Sequence, residues 1–177
     1  AICSHWEAVA SGCTFTDNSA GSDGGAIYYD AAVRHLTVQC STLEENKAKN
    51  GGAICINSSV EANRIADSTI KNNVASENGG GVQSLHDTEF ISTEITGNIA
   101  GKNGGGIYVG NDTITIYDGL VVTGNDVNGT TNNLYLKKGL KLRFSGYHLS
   151  GNTNIGVTYG DATGTISADY SNNMNYT

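Results

Sequence analysis

The chain has 177 residues, with 24 Gly, 20 Asn and no Pro, and its 10 Lys and Arg against 17 Asp and Glu give a net charge of −7. Gly and Asn are poor helix formers and frequent turn formers, so the composition predicts a turn-rich, mostly β domain. The negative charge disfavours nucleic acid as the main partner. The lack of any apolar stretch of about 20 residues disfavours membrane insertion of this segment.

The first twelve residues differ from the rest of the chain. Ile2, Trp6 and Val9 have the spacing of one face of a helix, and Trp6 is the only tryptophan. We therefore expect residues 1–12 to form a short N-terminal cap that includes a helical turn.

All four cysteines lie in the first third of the chain, at Cys3, Cys13, Cys40 and Cys55. An even number of cysteines at one end predicts disulfides formed in an oxidising compartment, with a Cys13–Cys40 bridge as one candidate. Three pairings are compatible with the sequence, and free buried thiols are the alternative. No Cys-x-x-Cys or nearby His pair has metal-ligand spacing, so we expect neither a metal ion nor a cofactor.

Two short motifs recur with one period along the chain. In the first, a pair of small residues precedes an alternating apolar run; it begins at residues 24, 51, 79 and 104 and, in a degenerate copy, at 132. In the second, an apolar residue lies three positions before an asparagine; the asparagines are Asn18, Asn46, Asn73, Asn98, Asn125 and Asn152. Successive copies of either motif are 25 to 28 residues apart.

This period predicts a solenoid. It is too short for a propeller blade, and the repeats lack helix formers at helical spacing. Apolar residues alternate with outward ones, as in Ile107-Tyr108-Val109, which is typical of a strand with one buried face. We predict one all-β domain, a parallel β-helix of about six coils over residues 13–152, with 153–177 as a degenerate last coil or C-terminal cap.

Stacking of equivalent positions assigns roles to the repeated residues. The six asparagines are predicted to form a structural ladder of side-chain amides, and the alternative of a calcium-binding column lacks the Asp-rich repeat that such sites need. The outward column of the first motif contains Tyr28, Cys55, Gln83, Tyr108 and Tyr135. A second inward column is predicted eight positions before each asparagine; it contains Val38, Ile65, Phe90 and Phe144, with Tyr117 as an exception.

One basic cluster interrupts the acidic sequence. Four of the ten cations occur within seven residues, at Lys137, Lys138, Lys141 and Arg143. Lysines commonly protect an exposed strand edge from pairing with other chains, so we interpret this cluster as a solvated edge rather than a site for polyanions.

The tetrapeptides resemble those of the polymorphic outer membrane protein (Pmp) family, the chlamydial autotransporter adhesins. GGAI occurs at 24–27 and 51–54, with GGGV at 79–82 and GGGI at 104–107, and the asparagine of the family's FxxN motif is present in all six copies, although Phe occurs there only at Phe15. The resemblance covers about residues 12–152. It implies a right-handed, single-stranded β-helix at the cell surface or outside the cell, as a monomer or part of a longer rod, that binds a host-cell protein or glycan.

Two function classes follow. We favour a non-catalytic adhesive or structural module, with Tyr28, Tyr108 and Tyr135 as candidate ligand-binding residues. The alternative is a polysaccharide-binding or lyase-like β-helix, because that fold includes polysaccharide-cleaving enzymes. Such catalysis needs clustered carboxylates, or a basic residue beside bound calcium, in a cleft formed by long loops, and coils of 25 to 28 residues leave little room for such loops. The candidates are few: His86, Asp87 and Glu89 together, His35 with Arg34, Asp112, and His148 alone. An ice-binding face is disfavoured because Thr113 and Thr115 do not recur from coil to coil.

Overall fold

Short strands separated by tight turns account for all the regular structure in the described part of the chain. The computed structural model describes residues 1–32, 34–59, 61–145 and 153–160. The chain winds through about five turns of a parallel β-solenoid, close to the six coils predicted. The last part of the predicted C-terminal cap, residues 161–177, lies outside the described residues.

Each coil contributes strands of two to five residues. The first three coils contain β1 (Ile2–Ser4), β2 (Ala8–Ser11), β3 (Thr14–Thr16), β4 (Ile27–Asp30), β5 (Leu36–Gln39), β6 (Thr42–Glu44), β7 (Lys47–Ala48), β8 (Ile54–Ser58), β9 (Asn63–Ala66), β10 (Thr69–Lys71) and β11 (Val74–Ala75). The later coils contain β12 (Val82–Ser84), β13 (Thr88–Ile91), β14 (Glu94–Thr96), β15 (Ile99–Ala100), β16 (Ile107–Val109), β17 (Ile114–Ile116), β18 (Val121–Thr123), β19 (Asp126–Val127), β20 (Thr130–Thr131), β21 (Leu134–Leu136), β22 (Leu142–Phe144), β23 (Asn154–Ile155) and β24 (Val157–Tyr159).

The strands stack into four sheets along the solenoid axis. Sheet A has the order β1-β4-β8-β12-β16-β21-β24, sheet B β2-β5-β9-β13-β17-β22, sheet C β3-β6-β10-β14-β18-β23 and sheet D β7-β11-β15-β19-β20. Among the described strands every pairing is parallel except β19 with β20, which is antiparallel. Each repeat of the sequence is therefore one coil.

Equivalent positions stack in register, which produces continuous columns in the core. In sheet A, Ile27 pairs with Ile54 on one side and with Ile2 on the other, and both Ile27 and Ile54 are fully buried. In sheet B the inward column runs through Phe90 and Ile116 to Phe144. Ile116, rather than the predicted Tyr117, therefore occupies the inward position of that coil. The fifth coil has one more residue than the spacing assumed, which moves Ile116 into the column.

The N-terminal residues are strands, and the predicted helical turn is wrong. β1 pairs with β4 and β2 pairs with β5, so residues 1–12 continue the solenoid as its first coil. The helical spacing of Ile2, Trp6 and Val9 was misleading because these residues do not share a face. Ile2 packs against the core, whereas Trp6 and Val9 are exposed.

All four cysteines are free thiols, and the Cys13–Cys40 bridge is not formed. Cys13 is level with Ser41, whose Oγ accepts the Cys13 backbone N–H at 3.1 Å. Cys40 lies one position earlier, at a turn with a φ of 49°. The two residues thus occupy different positions of the same corner. Cys3 and Cys40 are exposed, Cys13 is half-buried and Cys55 is buried.

The corners between sheets require residues with left-handed backbone. Gly51 has a φ of 57°, and an added Cβ at the following Gly52 would collide with the carbonyl oxygen of Gly80 and lie 2.8 Å from the backbone nitrogen of Val74. A pair of glycines at the entry to sheet A therefore serves two purposes: the first provides the positive φ, and the second lets successive coils approach closely.

The repeated asparagines occupy one buried column at the corner between sheets C and D. The Nδ2 of Asn46 donates to Asn73 Oδ1 at 2.9 Å, and the Nδ2 of Asn73 donates to Asn98 Oδ1 at 2.9 Å. Each Oδ1 also accepts a backbone N–H, as from Asn46 N to Asn73 Oδ1 at 2.9 Å. The same bonds join Asn18 to Asn46 and Asn98 to Asn125, so each side chain ties its coil to the next.

The last rung of this ladder differs from the prediction. Asn125 donates to Asn133 Oδ1 at 3.1 Å, and Asn152, the expected partner, lies outside the described residues. The antiparallel hairpin of β19 and β20 explains the change, because it returns the chain to the ladder after only eight residues. The Asn128-Gly129 sequence at the tip of this hairpin is the expected signal for such a turn.

Candidate functional site

The outward column of sheet A contains the predicted ligand-binding tyrosines. Tyr28 pairs with Cys55, Cys55 with Gln83, Gln83 with Tyr108, and Tyr108 with Tyr135. The structure brings Tyr108 and Tyr135 together but places Tyr28 three coils away from Tyr108, which corresponds to about 14 Å along the axis.

Tyr108 and Tyr135 form a stacked pair. Their ring centroids are 5.6 Å apart and their planes differ by 7°. One face of each ring therefore lies toward the other ring, and both side chains are half-buried. A sugar cannot lie flat on the facing sides of the two rings, so the arrangement suits a partner that packs against the parts of the pair that remain exposed.

Glycines on the same face leave room for the two rings. A Cβ on Gly110 would lie 2.6 Å from Tyr108 Cε1 and 2.5 Å from Leu85 Cδ2. A Cβ on Gly160 would lie 2.6 Å from the Tyr135 hydroxyl. Burial, and secondarily Tyr135, raises the pKa of Tyr108, so this phenol stays protonated and able to donate a hydrogen bond at neutral pH.

Between the tyrosines the column is closed to solvent. Cys55 is 1% exposed and Gln83 is 8% exposed, although both point away from the core. Burial, followed by the charges of Asp23 and Asp30, raises the pKa of Cys55 to about 12. The Cys55 thiol is consequently protonated at neutral pH and cannot act as a nucleophile. Cys55 and Gln83 thus connect two aromatic positions without offering reactive chemistry.

Tyr28 lies beside a cavity at the first coil. The cavity has a volume of 370 Å³ and is lined by Ile2, Cys3, Asp23, Gly24 and Tyr28, among others. The Tyr28 hydroxyl donates to Asp30 Oδ2 at 3.4 Å. Burial raises the pKa of Tyr28, and the charge of the neighbouring Asp30 raises it further. A hydroxyl, a carboxylate and an apolar wall therefore meet at this cavity.

The carboxylates considered for catalysis, Asp87, Glu89 and Asp112, lie on two adjacent coils at sheet B. Glu89 accepts from the Tyr117 hydroxyl at 3.2 Å and faces Arg64 at 3.7 Å. Burial and the neighbouring Asp112, which hydrogen bonds to it, raise the pKa of Asp87. Two carboxyl groups that share a hydrogen bond are closer than the roughly 5 Å that a retaining glycosidase needs for a sugar between them. In the described part of the chain, no three His, Cys, Asp or Glu side chains form a group that could hold a metal ion.

The sequence analysis missed two features of the solenoid surface. The first is an outer amide ladder formed by the residue before each glycine pair: Asn50 Nδ2 donates to Asp23 Oδ1 at 2.9 Å and Asn103 Nδ2 to Asn78 Oδ1 at 3.1 Å. Its bonds point toward the N-terminal coil, opposite to those of the buried ladder. The recurring Asp or Asn before Gly-Gly was the available signal.

The second feature is a threonine column on the outward face of sheet C. Thr42 pairs with Thr14 on one side and with Thr69 on the other. An ion pair between Lys71 Nζ and Glu44 Oε2 at 3.0 Å interrupts the neighbouring outward column. The flat array that ice binding requires is therefore incomplete on this face.

Three segments of the chain, residues 12–30, 41–57 and 92–110, match the Chlamydia polymorphic membrane protein repeat. The match confirms the resemblance drawn from the tetrapeptides, and the parallel solenoid agrees with it. No curated protein and no solved structure matches the chain. Among the described residues, no helix has the length and apolar character of a membrane crossing.

Proposed function

We propose that this chain, which carries the repeat of the chlamydial polymorphic membrane proteins, is a non-catalytic adhesive module that binds a host-cell protein or glycan through the outward face of sheet A. Proteins with this repeat are surface-exposed outer membrane proteins, which supports a cell-surface location for the module. The stacked Tyr108–Tyr135 pair is the observation that carries the proposal, because tyrosine combines an apolar ring with a hydrogen-bonding hydroxyl and is enriched at binding interfaces.

The geometry favours a protein over a flat-lying sugar as the main ligand. The facing sides of the stacked Tyr108 and Tyr135 rings are not free for a sugar, and tyrosine is enriched among the contact residues of protein interfaces. The cavity beside Tyr28, at the other end of the same column, would accept a single projecting side chain or sugar.

Binding of the fluorescently labelled 177-residue chain to fixed human epithelial cells, measured by flow cytometry, tests the proposal. We expect saturable binding that falls at least tenfold in the double variant Tyr108→Ser/Tyr135→Ser. The matched control is Tyr117→Ser, which removes a partly buried tyrosine that directly follows β17, away from sheet A, and should leave binding unchanged. Thermal unfolding of all variants shows whether the fold is retained.

Treatment of the cells separates the two ligand classes. Loss of binding after trypsin but not after glycosidases identifies a protein ligand, and the reverse identifies a glycan. Absence of saturable binding by the folded wild-type chain, or equal loss of binding in the Tyr117→Ser control, would overturn the proposal. Release of unsaturated products from pectate or another acidic polysaccharide, followed by ultraviolet absorbance, would instead support the lyase-like alternative.

A further inference from the structure

The stacked tyrosines also form a pair of phenols held side by side by the backbone. Tyr108 and Tyr135 are register partners in the adjacent parallel strands β16 and β21, so their Cα atoms are about one strand spacing, roughly 4.8 Å, apart. Their ring centroids are 5.6 Å apart, and both side chains are half-buried rather than enclosed. Two phenols are therefore close together at a position that small oxidants can reach.

Three other tyrosines in the described part of the chain are placed differently. Tyr28 lies three coils from Tyr108 in the same column. Tyr29 is fully buried in the core. Tyr117 directly follows β17 in sheet B, where its hydroxyl donates to Glu89 Oε1 at 3.2 Å. A reaction that needs two neighbouring phenols is thus favoured at the stacked pair over these positions.

We propose that Tyr108 and Tyr135 are a site of oxidative cross-linking, at which a haem peroxidase with hydrogen peroxide joins the two rings as dityrosine. Each phenol loses one electron and one proton and becomes a phenoxyl radical, whose unpaired electron lies partly on the carbons ortho to the oxygen. One such Cε carbon of each ring forms the new C–C bond. The hydrogen on each joined carbon then moves to the ring oxygen as a proton, which restores both phenols. The two electrons and two protons removed reduce one hydrogen peroxide to two water molecules.

The register of the coils supplies the proximity that this coupling needs. Reaction between two groups held together is unimolecular and much faster than reaction between separate molecules. Rotation about the side-chain bonds brings a Cε carbon of one ring to the other, because the two Cα atoms already lie opposite each other. The product is a covalent bond between β16 and β21, one repeat apart in the chain. Its formation does not depend on any ligand of sheet A.

Peroxidase treatment of a variant with fewer thiols tests this inference. The exposed or half-buried Cys3, Cys13 and Cys40 are replaced by Ser, because their thiols would consume the oxidant. With a haem peroxidase and hydrogen peroxide, we expect this parent variant to stay monomeric on a denaturing gel, to lose two hydrogen atoms in mass and to gain the blue fluorescence of dityrosine. The yield should not change with protein concentration between about 1 µM and 20 µM, as expected for coupling within one molecule.

Peptide mapping locates the bond. Cleavage of the unfolded product before aspartate places Tyr108 in the peptide 87–111 and Tyr135 in the peptide 126–160. A covalent link between these two peptides identifies the predicted bond. The added variant Tyr108→Phe keeps the ring but removes the phenol, and we expect it to lower the yield of dityrosine within one molecule at least tenfold. The matched control Tyr117→Phe should give the same yield as the parent.

The melting temperature shows whether the bond forms in the native stack. A bond between adjacent coils restricts the unfolded chain, so the cross-linked protein should melt about 5–10 °C above the untreated parent. A cross-linked product that melts below the parent would contradict coupling in the native stack. The proposal would also be overturned by dityrosine that joins only separate molecules, by an unchanged yield in Tyr108→Phe, or by a folded parent that consumes peroxide without forming dityrosine.

Discussion

Replacing Asn73 by Asp tests the buried amide ladder with a nearly isosteric change. In the structure the Asn73 side chain is fully buried, and its Nδ2 donates to Leu43 O and Lys71 O at 3.0 Å and to Asn98 Oδ1 at 2.9 Å. A carboxylate cannot donate, so Asn73→Asp places a buried negative charge against three acceptor oxygens.

The cost follows from the lost hydrogen bonds. Leaving a buried acceptor without its donor costs about 1–3 kcal/mol, and two bonds reach the adjacent coils, so we expect a loss of about 2–6 kcal/mol at pH 7.5. That is a large part of the 5–15 kcal/mol typical of a domain. The matched control is Asn18→Asp at the half-buried end of the ladder, where we expect a loss of about 1 kcal/mol.

The stability lost in the Asn73→Asp variant should depend on pH. Asn46 still donates to one oxygen of the new carboxyl group, but the other oxygen faces only acceptors, and this together with burial raises the folded-state pKa of the group above its unfolded value of about 3.9. Between these two values the folded state binds more protons, so the deficit shrinks as pH falls from 7.5 toward 4.5, because a protonated carboxyl donates again. Urea unfolding at pH 7.5 and pH 4.5, followed by far-UV circular dichroism, measures the free energy of unfolding of each variant. Equal losses at Asn18 and Asn73, or a loss independent of pH, would refute the ladder's role.

Two further outcomes are expected. Gly52→Ala should destabilise the fold by at least about 2 kcal/mol, because its Cβ would press on the next coil, whereas Gly21→Ala, whose Cβ meets nothing within 4 Å, should leave the melting temperature unchanged in differential scanning fluorimetry. A thiol reagent at pH 8 should titrate Cys3, Cys13 and Cys40 in the native protein. Cys55 should react only after unfolding, since a pKa of about 12 leaves about one part in 10⁴ as thiolate. Fewer than three reactive thiols would reveal a disulfide instead.

The spacing of the repeats predicted the coil and much of its register. Because Ile27, Ile54 and Ile107 follow glycine pairs at nearly constant intervals, their stacking could be derived from counting alone. Counting failed where coil length changed. The additional residue between Ile116 and Asn125 and the short hairpin that brings Asn133 beneath Asn125 both break the period, and local turn chemistry rather than periodicity determines them.

The tyrosine column could be predicted, but its geometry could not. Alternation places Tyr108 and Tyr135 on one face and in adjacent coils. The 7° angle between the rings depends on rotamers and on the space left by Gly110 and Gly160, which no repeat pattern encodes. The first coil was misassigned for a related reason: in twelve residues a helical and a strand pattern can coincide, and only pairing with β4 and β5 distinguishes them.

The central claim is that each repeat forms one coil stacked in register on the last. Electron–electron resonance distances between spin labels at Thr16 and Thr123 test it most directly, with Cys3, Cys13 and Cys40 replaced by Ser and the unreactive Cys55 retained. The register from Thr16 through Glu44, Lys71 and Thr96 to Thr123 spans four coils, so a narrow distribution near 19 Å is expected, from about 4.8 Å per coil. A broad distribution centred beyond about 30 Å, toward the roughly 55 Å of an unstructured chain of this length, would contradict the account.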